Sequence, residues 1–407
     1  MEVLHPRCAG LDVHAANVVA CVRITSGRSA TYEHRTVATT TRGLLDLADW
    51  LTAQGVTHVA MEATGVYWKP VWHVLEDAFT LVLANAMHIR NIPGRKNDKN
   101  DATWIADLLA LGLIRSSFVP PAPIQELRDL TRTRKQLVRE ITRHTQRIQK
   151  TLEDANVKLT EMISDILGTS GRAVLQALVA GETDPERLAD LTSGRLKATR
   201  AQLVDALHGR VTPHHRFMLH LHLTQIAALD TAVAAVEAQI REALTPFRAA
   251  VRLLTTMPGV SETAAAVIIG EIGDDMSKCP SAGHLLSWAG LCPRLDESNG
   301  KRRSTRTRHG APWLKTTLVQ IAWPAARKKN GYFHAQFLRL KSRRGPKKAI
   351  VAVAASMLTD VYYMLRDGVE FHDLGDQYFV QRDKTRLTNR LLQRLRDLGV
   401  EVEVKAA

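Results

Sequence analysis

Apolar and polar positions change their period several times along this chain. Up to about Ser117, short apolar runs alternate with stretches of helical spacing. CAGLDV and NVVACVRI read as paired strands, with TYEHRTVA a third beyond the turn at Gly27. Thr41 is predicted to cap a helix running through Leu51, because Leu44, Leu45, Leu47, Ala48 and Leu51 fall at helical spacing. HVAME is then a strand, VYWKPVWHVLEDA a helix with Pro70 near its start, and TLVLANA the last strand. A strand meander followed by helix, strand, helix and strand predicts an α/β domain over residues 1–117. Its functional site is expected where strands give way to loops.

After Pro120, Pro121 and Pro123 the period becomes that of long helices. Leu127, Leu130, Leu137, Ile141, Ile148, Leu152 and Leu159 recur at spacings of three, four and seven, a gapped heptad seam. A second helical stretch from about Arg195 to Leu244 is predicted to fold back on the first, giving an antiparallel coiled-coil arm over 118–250. Between them GETDPERLADL predicts a short helix capped by Asp184. His208, His214, His215, His220 and His222 cluster here, but His220 and His222 do not share a helical face, so packed or surface histidines are expected instead of a metal site. From Arg252 the pattern is α-rich, and TTMPGVSETAAAVIIGEIG has the helix, Pro-Gly turn and helix of a helix-hairpin-helix element. This domain is expected over 251–370, including a polar basic loop at DESNGKRRSTRTRHG; a 371–407 extension ends in an amphipathic helix.

Charge changes the picture more than composition does. The net charge is +14, which points to a large polyanionic partner. Along the first long helix Arg128, Arg132, Arg139, Arg143 and Arg147 stand almost unopposed by acids, a pattern expected of a phosphate-tracking face. Lys301, Arg302, Arg303, Arg306 and Arg308 make a second basic cluster. Cys8, Cys21, Cys279 and Cys292 are too dispersed for a disulfide framework or a C-x-x-C zinc pair. With no signal-like N-terminus and no uninterrupted apolar run of membrane length, a cytoplasmic, nucleoid-associated protein without a membrane partner is expected.

The chemistry is carried by acids. Asp12 and Glu62 each end an apolar run, and Asp98 and Asp101 lie where a basic segment turns into a helix. If these four meet, each close pair repels by on the order of 3 kcal/mol at an effective dielectric near 20, which a cation must offset. Hard carboxylate oxygens suit Mg²⁺ or Mn²⁺, and two such ions serve phosphodiester chemistry. The element order and the acids together suggest an RNase H-like arrangement. Ser298, beside Gly300 and the basic cluster, is a candidate nucleophile, although a basic loop with Ser298, Ser304 and Thr305 is also an ordinary nucleic-acid contact. A metal-dependent junction endonuclease using water, and a non-catalytic nucleic-acid-binding protein, remain alternatives.

GLDVH, MEATG, KNDKNDA, PGVSETAAAVIIGEIG, WAGLCP and ESNGKRR, in this order over essentially the whole length, resemble the DEDD transposases of the insertion sequence 110 family, the bridge-RNA-guided recombinases. The resemblance implies a RuvC-like (RNase H fold) domain whose metal ligands are Asp12, Glu62, Asp98 and Asp101, then a coiled-coil arm. It implies a C-terminal transposase domain in which Ser298 is the nucleophile, here in Ser-Asn-Gly where the family often has Ser-Gly. It further implies two Mg²⁺ ions, a structured guide RNA, donor and target DNA, and a homo-oligomer, dimer or tetramer. Delegating sequence choice to base pairing fits a chain with no recognisable helix-turn-helix or finger.

Overall fold

The computed structural model describes residues 3–400 except 28, 64, 86–88, 90–100, 194–197, 294–295, 305, 308–309 and 383; the side chains of 296, 298, 302, 303 and 385–387 also fall outside the described set. The chain divides into two compact units, 1–119 and 120–407.

The first unit is built on a five-stranded sheet. β1 (Arg7–Val13), β2 (Asn17–Ser26) and β3 (Ser29–Ala38) form the antiparallel meander, and β4 (His58–Glu62) and β5 (Thr80–Ala84) extend it in parallel, giving the order β3-β2-β1-β4-β5. Two-residue alternation decides which face each side chain joins. Ala9, Leu11, Val13, Val59 and Met61 pack under α1 (Thr41–Ala53) and α2 (Trp68–Leu75), whose Leu44, Leu47, Leu51, Val71 and Leu75 fill one core. Cys8, Ala60 and Ala84 turn the other way, toward α3 (Asp101–Ala110), which buries Ile105, Leu108 and Leu109 against them. The cap of α1 is Thr40, not the expected Thr41: its hydroxyl accepts from Gly43 N at 3.2 Å.

The second unit opens with α4 (Ala122–Asp154), about 50 Å long at 1.5 Å per residue. α5 (Leu159–Met162), α6 (Thr169–Ala180), α7 (Pro185–Asp190) and α8 (Arg200–Leu207) follow, and α9 (Pro213–Ala243) returns along α4. The pairing is antiparallel, since Arg134 meets Glu237, His144 meets His222 and Asp154 meets His215. Leu127, Ile148, Leu152 and Leu159 of the seam are buried, and Asp184 caps α7 as expected. The second helical stretch is broken into α8 and α9 instead of running through. Gly209 lies against Ala155 O, and Thr212 and His215 form a capping box ahead of Pro213 that starts α9 afresh. His215 and His222 are packed, as the histidine cluster suggested.

The rest is a helical core. α10 (Arg248–Thr255) and α11 (Glu262–Ile272) flank the Pro-Gly turn, with Ser261 accepting from Ala264 N to cap α11. α12 (Ala282–Ala289), α13 (Pro312–Arg327), α14 (Tyr332–Arg344) and α15 (Pro346–Asp367) complete it, and Val353, Met357 and Leu358 of α15 are fully buried. α16 (Tyr378–Arg382) and α17 (Lys384–Asp397) follow. α9 and α15 reach a membrane span's length and a mean hydropathy of 1.2 and 1.3, but α15 is a core helix here and α9 lies along α4. The expected basic loop is in part a hairpin, β6 (Asp296–Ser298) and β7 (Lys301–Ser304).

Candidate active site and nucleic-acid interface

Parallel pairing of β1 with β4 sets Leu11 opposite Met61. The next residues, Asp12 and Glu62, are therefore neighbours at adjacent strand ends, about 4.8 Å apart across the ladder. Because their strand neighbours Leu11 and Met61 face α1 and α2, alternation turns both acids toward α3.

α3 lies back along β1. The Cys8 thiol donates to Ala106 O at 3.6 Å, and a Cβ added to Gly10 would stand 2.2 Å from Ala102 O. The direction Cys8 to Gly10 to Asp12 thus matches Ala106 to Ala102 to the helix start. Asp101, the first residue of α3, belongs to that start, at the end of β1 that carries Asp12. Asp98 lies outside the described residues. Asp107 is engaged elsewhere: Arg23 Nε donates to its Oδ1 at 2.9 Å and the Tyr32 hydroxyl at 2.8 Å. His34 Nε2 lies 2.8 Å from Thr103 Oγ1. These contacts from β2 and β3 pin α3 to the sheet, and sequence reasoning missed them because they cross the sheet. Burial pushes the Cys8 thiol up to about 12, so it is an inert packing group.

His14 Nε2 lies 3.2 Å from Asp12 Oδ2. An all-oxygen donor set at two strand ends and a helix start has the chemistry to hold Mg²⁺ or Mn²⁺. Among the described residues, no group of three or more His, Cys, Asp or Glu is drawn together closely enough to hold a metal ion by itself.

In the second unit Ser298 ends β6, paired with Lys301, and Asn299 and Gly300 carry φ of 51° and 70°. Two consecutive positive φ values make a type I′ turn, for which Asn-Gly is the favoured pair. The asparagine is thus the turn residue that closes the hairpin next to the serine. At the hairpin base Pro293 bridges Thr307, and Lys315 Nζ donates to Gly290 O at 2.9 Å and Thr307 Oγ1 at 2.8 Å. Burial holds the Lys315 amine below its ordinary range. Lys315 escaped sequence reasoning; the Asn-Gly pair between strand-forming residues was the signal for the hairpin.

The basic face of α4 divides. Arg128 donates to Gly270 O and Glu271 O at 2.8 and 2.9 Å, at the C-terminal end of α11. Arg132 makes a two-pronged pair with Glu271 at 2.7 and 2.9 Å, and Glu271 is only 1% exposed. These two arginines lock α4 to α11, so they are not part of an open face. Arg139 stacks over Trp313 at 5.1 Å, Arg143 pairs with Glu140, and Arg147 is exposed. Lys301 and Arg306 are exposed; the side chains of Arg302 and Arg303, and all of Arg308, fall outside the described set.

Two transposase family models match the chain. One, a DEDD transposase model of insertion sequence 110 elements described as "Transposase", covers residues 9–157. The other, described as "Transposase IS116/IS110/IS902 family", covers residues 251–338. The chain is also 27% identical over 300 residues to the "Insertion element IS110 uncharacterized 43.6 kDa protein" of Streptomyces coelicolor, covering 68% of this chain and 72% of that protein.

Proposed function

This chain belongs to the insertion sequence 110 family of transposases, and from that premise we propose that it is an RNA-guided DNA recombinase with a serine nucleophile. Membership implies enzymatic DNA transposition.

The observation that carries the reading is the meeting of Asp12 and Glu62 at adjacent strand ends beneath the start of α3. The order β3-β2-β1-β4-β5 supports an RNase H or RuvC-like assignment for the first unit. Asp12, Glu62, Asp98 and Asp101 are the residues that would hold a pair of Mg²⁺ or Mn²⁺ ions. When bound, such ions neutralise charge at the scissile phosphate and its leaving oxygen.

Ser298 Oγ attacks the scissile phosphorus. A serine–phosphorus ester forms, one bridging P–O bond of the strand breaks, the serine proton passes to solvent, and the departing oxygen takes up a proton. Attack by a hydroxyl end from another strand then reverses these bonds and frees Ser298, so the number of phosphodiesters is conserved without an external energy source. Lys301 and Arg306, with Arg302, Arg303 and Arg308, supply the positive field for the pentavalent intermediate. Arg139, Arg143 and Arg147 serve the donor and target DNA or the structured guide RNA, whose pairing supplies sequence choice.

The test is direct. The protein is incubated with RNA from its element, DNA and Mg²⁺, then resolved under denaturing conditions. A covalent protein–DNA species is expected that disappears in Ser298→Ala and on chelation. DNA cleavage by Ser298→Ala without any adduct in the wild type would replace this reading with a water-using nuclease.

A further inference from the structure

Three cations of α4 converge on one ring of α13. Arg132, Lys135 and Arg139 occupy positions i, i+3 and i+7, one helical face, and stand 5.6, 5.7 and 5.1 Å from the centre of Trp313. Among the described residues, the carboxylate bonded to this trio is Glu271, which is engaged by Arg132. Among the described residues, the hydrogen-bond partner of Lys135 is the neutral Thr317 hydroxyl, at 3.5 Å, while the Glu271 charge acts on it without a direct bond. Burial, then the nearby Arg139 charge, lower the proton affinity of Lys135. The cluster thus holds more positive charge than its carboxylate balances.

Such an arrangement is unfavourable without an anion, yet the indole face fixes it in place. The cavity of about 460 Å³ that Lys135 borders is also lined by Glu237 and Glu262, so an anion is expected on the exposed Arg139 side of the ring and not in that cavity. Beyond the ring, Arg139, Arg143 and Arg147 follow at four-residue steps, about 6 Å apart along the axis. A row of that kind suits a chain of phosphates better than a single small anion.

We propose that Lys135, Arg139 and Trp313 form a preorganised phosphate clamp that grips the sugar–phosphate backbone of a nucleic acid, with the indole setting the two cations. The clamp rests on the nucleic-acid partners of the proposed function, but not on Ser298 or the acids. Binding measured in EDTA therefore tests it separately from the chemistry.

The experiment measures binding of the full chain to duplex DNA and, in a second arm, to the element's structured RNA, across a salt series. Lys135→Ala/Arg139→Ala is expected to weaken binding roughly tenfold near 0.1 M salt and to lower the log–log salt slope by about 2. Lys150→Ala, removing an exposed cation of α4 away from the ring, is expected to keep affinity within about twofold and the slope nearly unchanged, well below the loss of about 1 that a phosphate-gripping lysine gives. Trp313→Ala leaves net charge unchanged and is expected to lose several-fold affinity, with Trp313→Phe restoring much of it. The arm in which these losses occur identifies the nucleic acid held. Equal losses per charge for Lys150→Ala and the double variant, or no loss in the double variant, would overturn the clamp, and both are readable even if Trp313→Ala fails to fold. A folded Trp313→Ala that binds like the wild type would overturn it as well, leaving only a diffuse basic field.

Discussion

At Gly10 the chain has no room for a side chain. A methyl group there would stand 2.2 Å from Ala102 O and 2.4 Å from Ala106 N, so α3 would have to lift from β1. Gly10→Ala is expected to destabilise the protein by about 1–3 kcal/mol in urea unfolding. If Asp101 and Asp12 share a cation, as proposed, Gly10→Ala is also expected to weaken Mn²⁺ binding. The strand-end placement of Asp12 and Glu62 could be read from residue pattern alone. Asp12 and Glu62 close apolar runs, and a strand end is where a carboxylate can leave a core. The anchoring of α3 could not: Arg23, Tyr32 and Asp107 are joined only by pairing across the sheet.

Among the elements, α4 was legible as a long amphipathic helix, but its arginines were not all alike. Sequence gives each the same charge, whereas only packing distinguishes Arg139 on Trp313 from Arg132, which faces a carboxylate buried inside α11. Glu271 lies in the apolar run VIIGEIG, and a lone acid there signals a cation arriving from elsewhere. Glu271→Ala is expected to cost about 2 kcal/mol in urea unfolding, discounted because Arg132 is a third exposed. The serine hairpin was missed for a different reason: a basic, polar segment hides its strands, and the Asn-Gly turn was the only local mark. α15 adds a pH effect. Burial raises the Asp360 carboxyl from 3.8 to about 6, so the folded state holds a proton that the unfolded chain has already released. That group's contribution falls as pH rises between about 4 and 6 and stays lost above. Asp360→Asn is expected to gain about 2–3 kcal/mol over wild type at pH 7 and little at pH 4, checked by denaturation at both values.

At the scale of the molecule, the acids and Ser298 belong to different compact units, 1–119 and 120–407. We propose that one active site draws its acids and its serine from different protomers. If so, a mixture of Asp12→Asn and Ser298→Ala proteins should recover part of the strand-joining activity that each lacks alone, read as recombinant DNA. No recovery in the mixture would argue that each protomer completes its own site. The excess charge of +14 sets a further expectation, a steep fall of nucleic-acid affinity with salt. Charge and element order made the class of partner legible, whereas oligomer formation leaves no mark in a single chain's periodicity.

The proposed chemistry requires Asp12, Glu62, Asp98 and Asp101 to act as one cation-holding group. An electron paramagnetic resonance titration of Mn²⁺ into the full chain, repeated with Asp12→Asn, Glu62→Gln, Asp98→Asn and Asp101→Asn, tests it. Every one of the four substitutions is expected to weaken Mn²⁺ binding by at least about tenfold, since each removes a charged ligand from a shared site. Unchanged binding in Asp12→Asn or Glu62→Gln would contradict it.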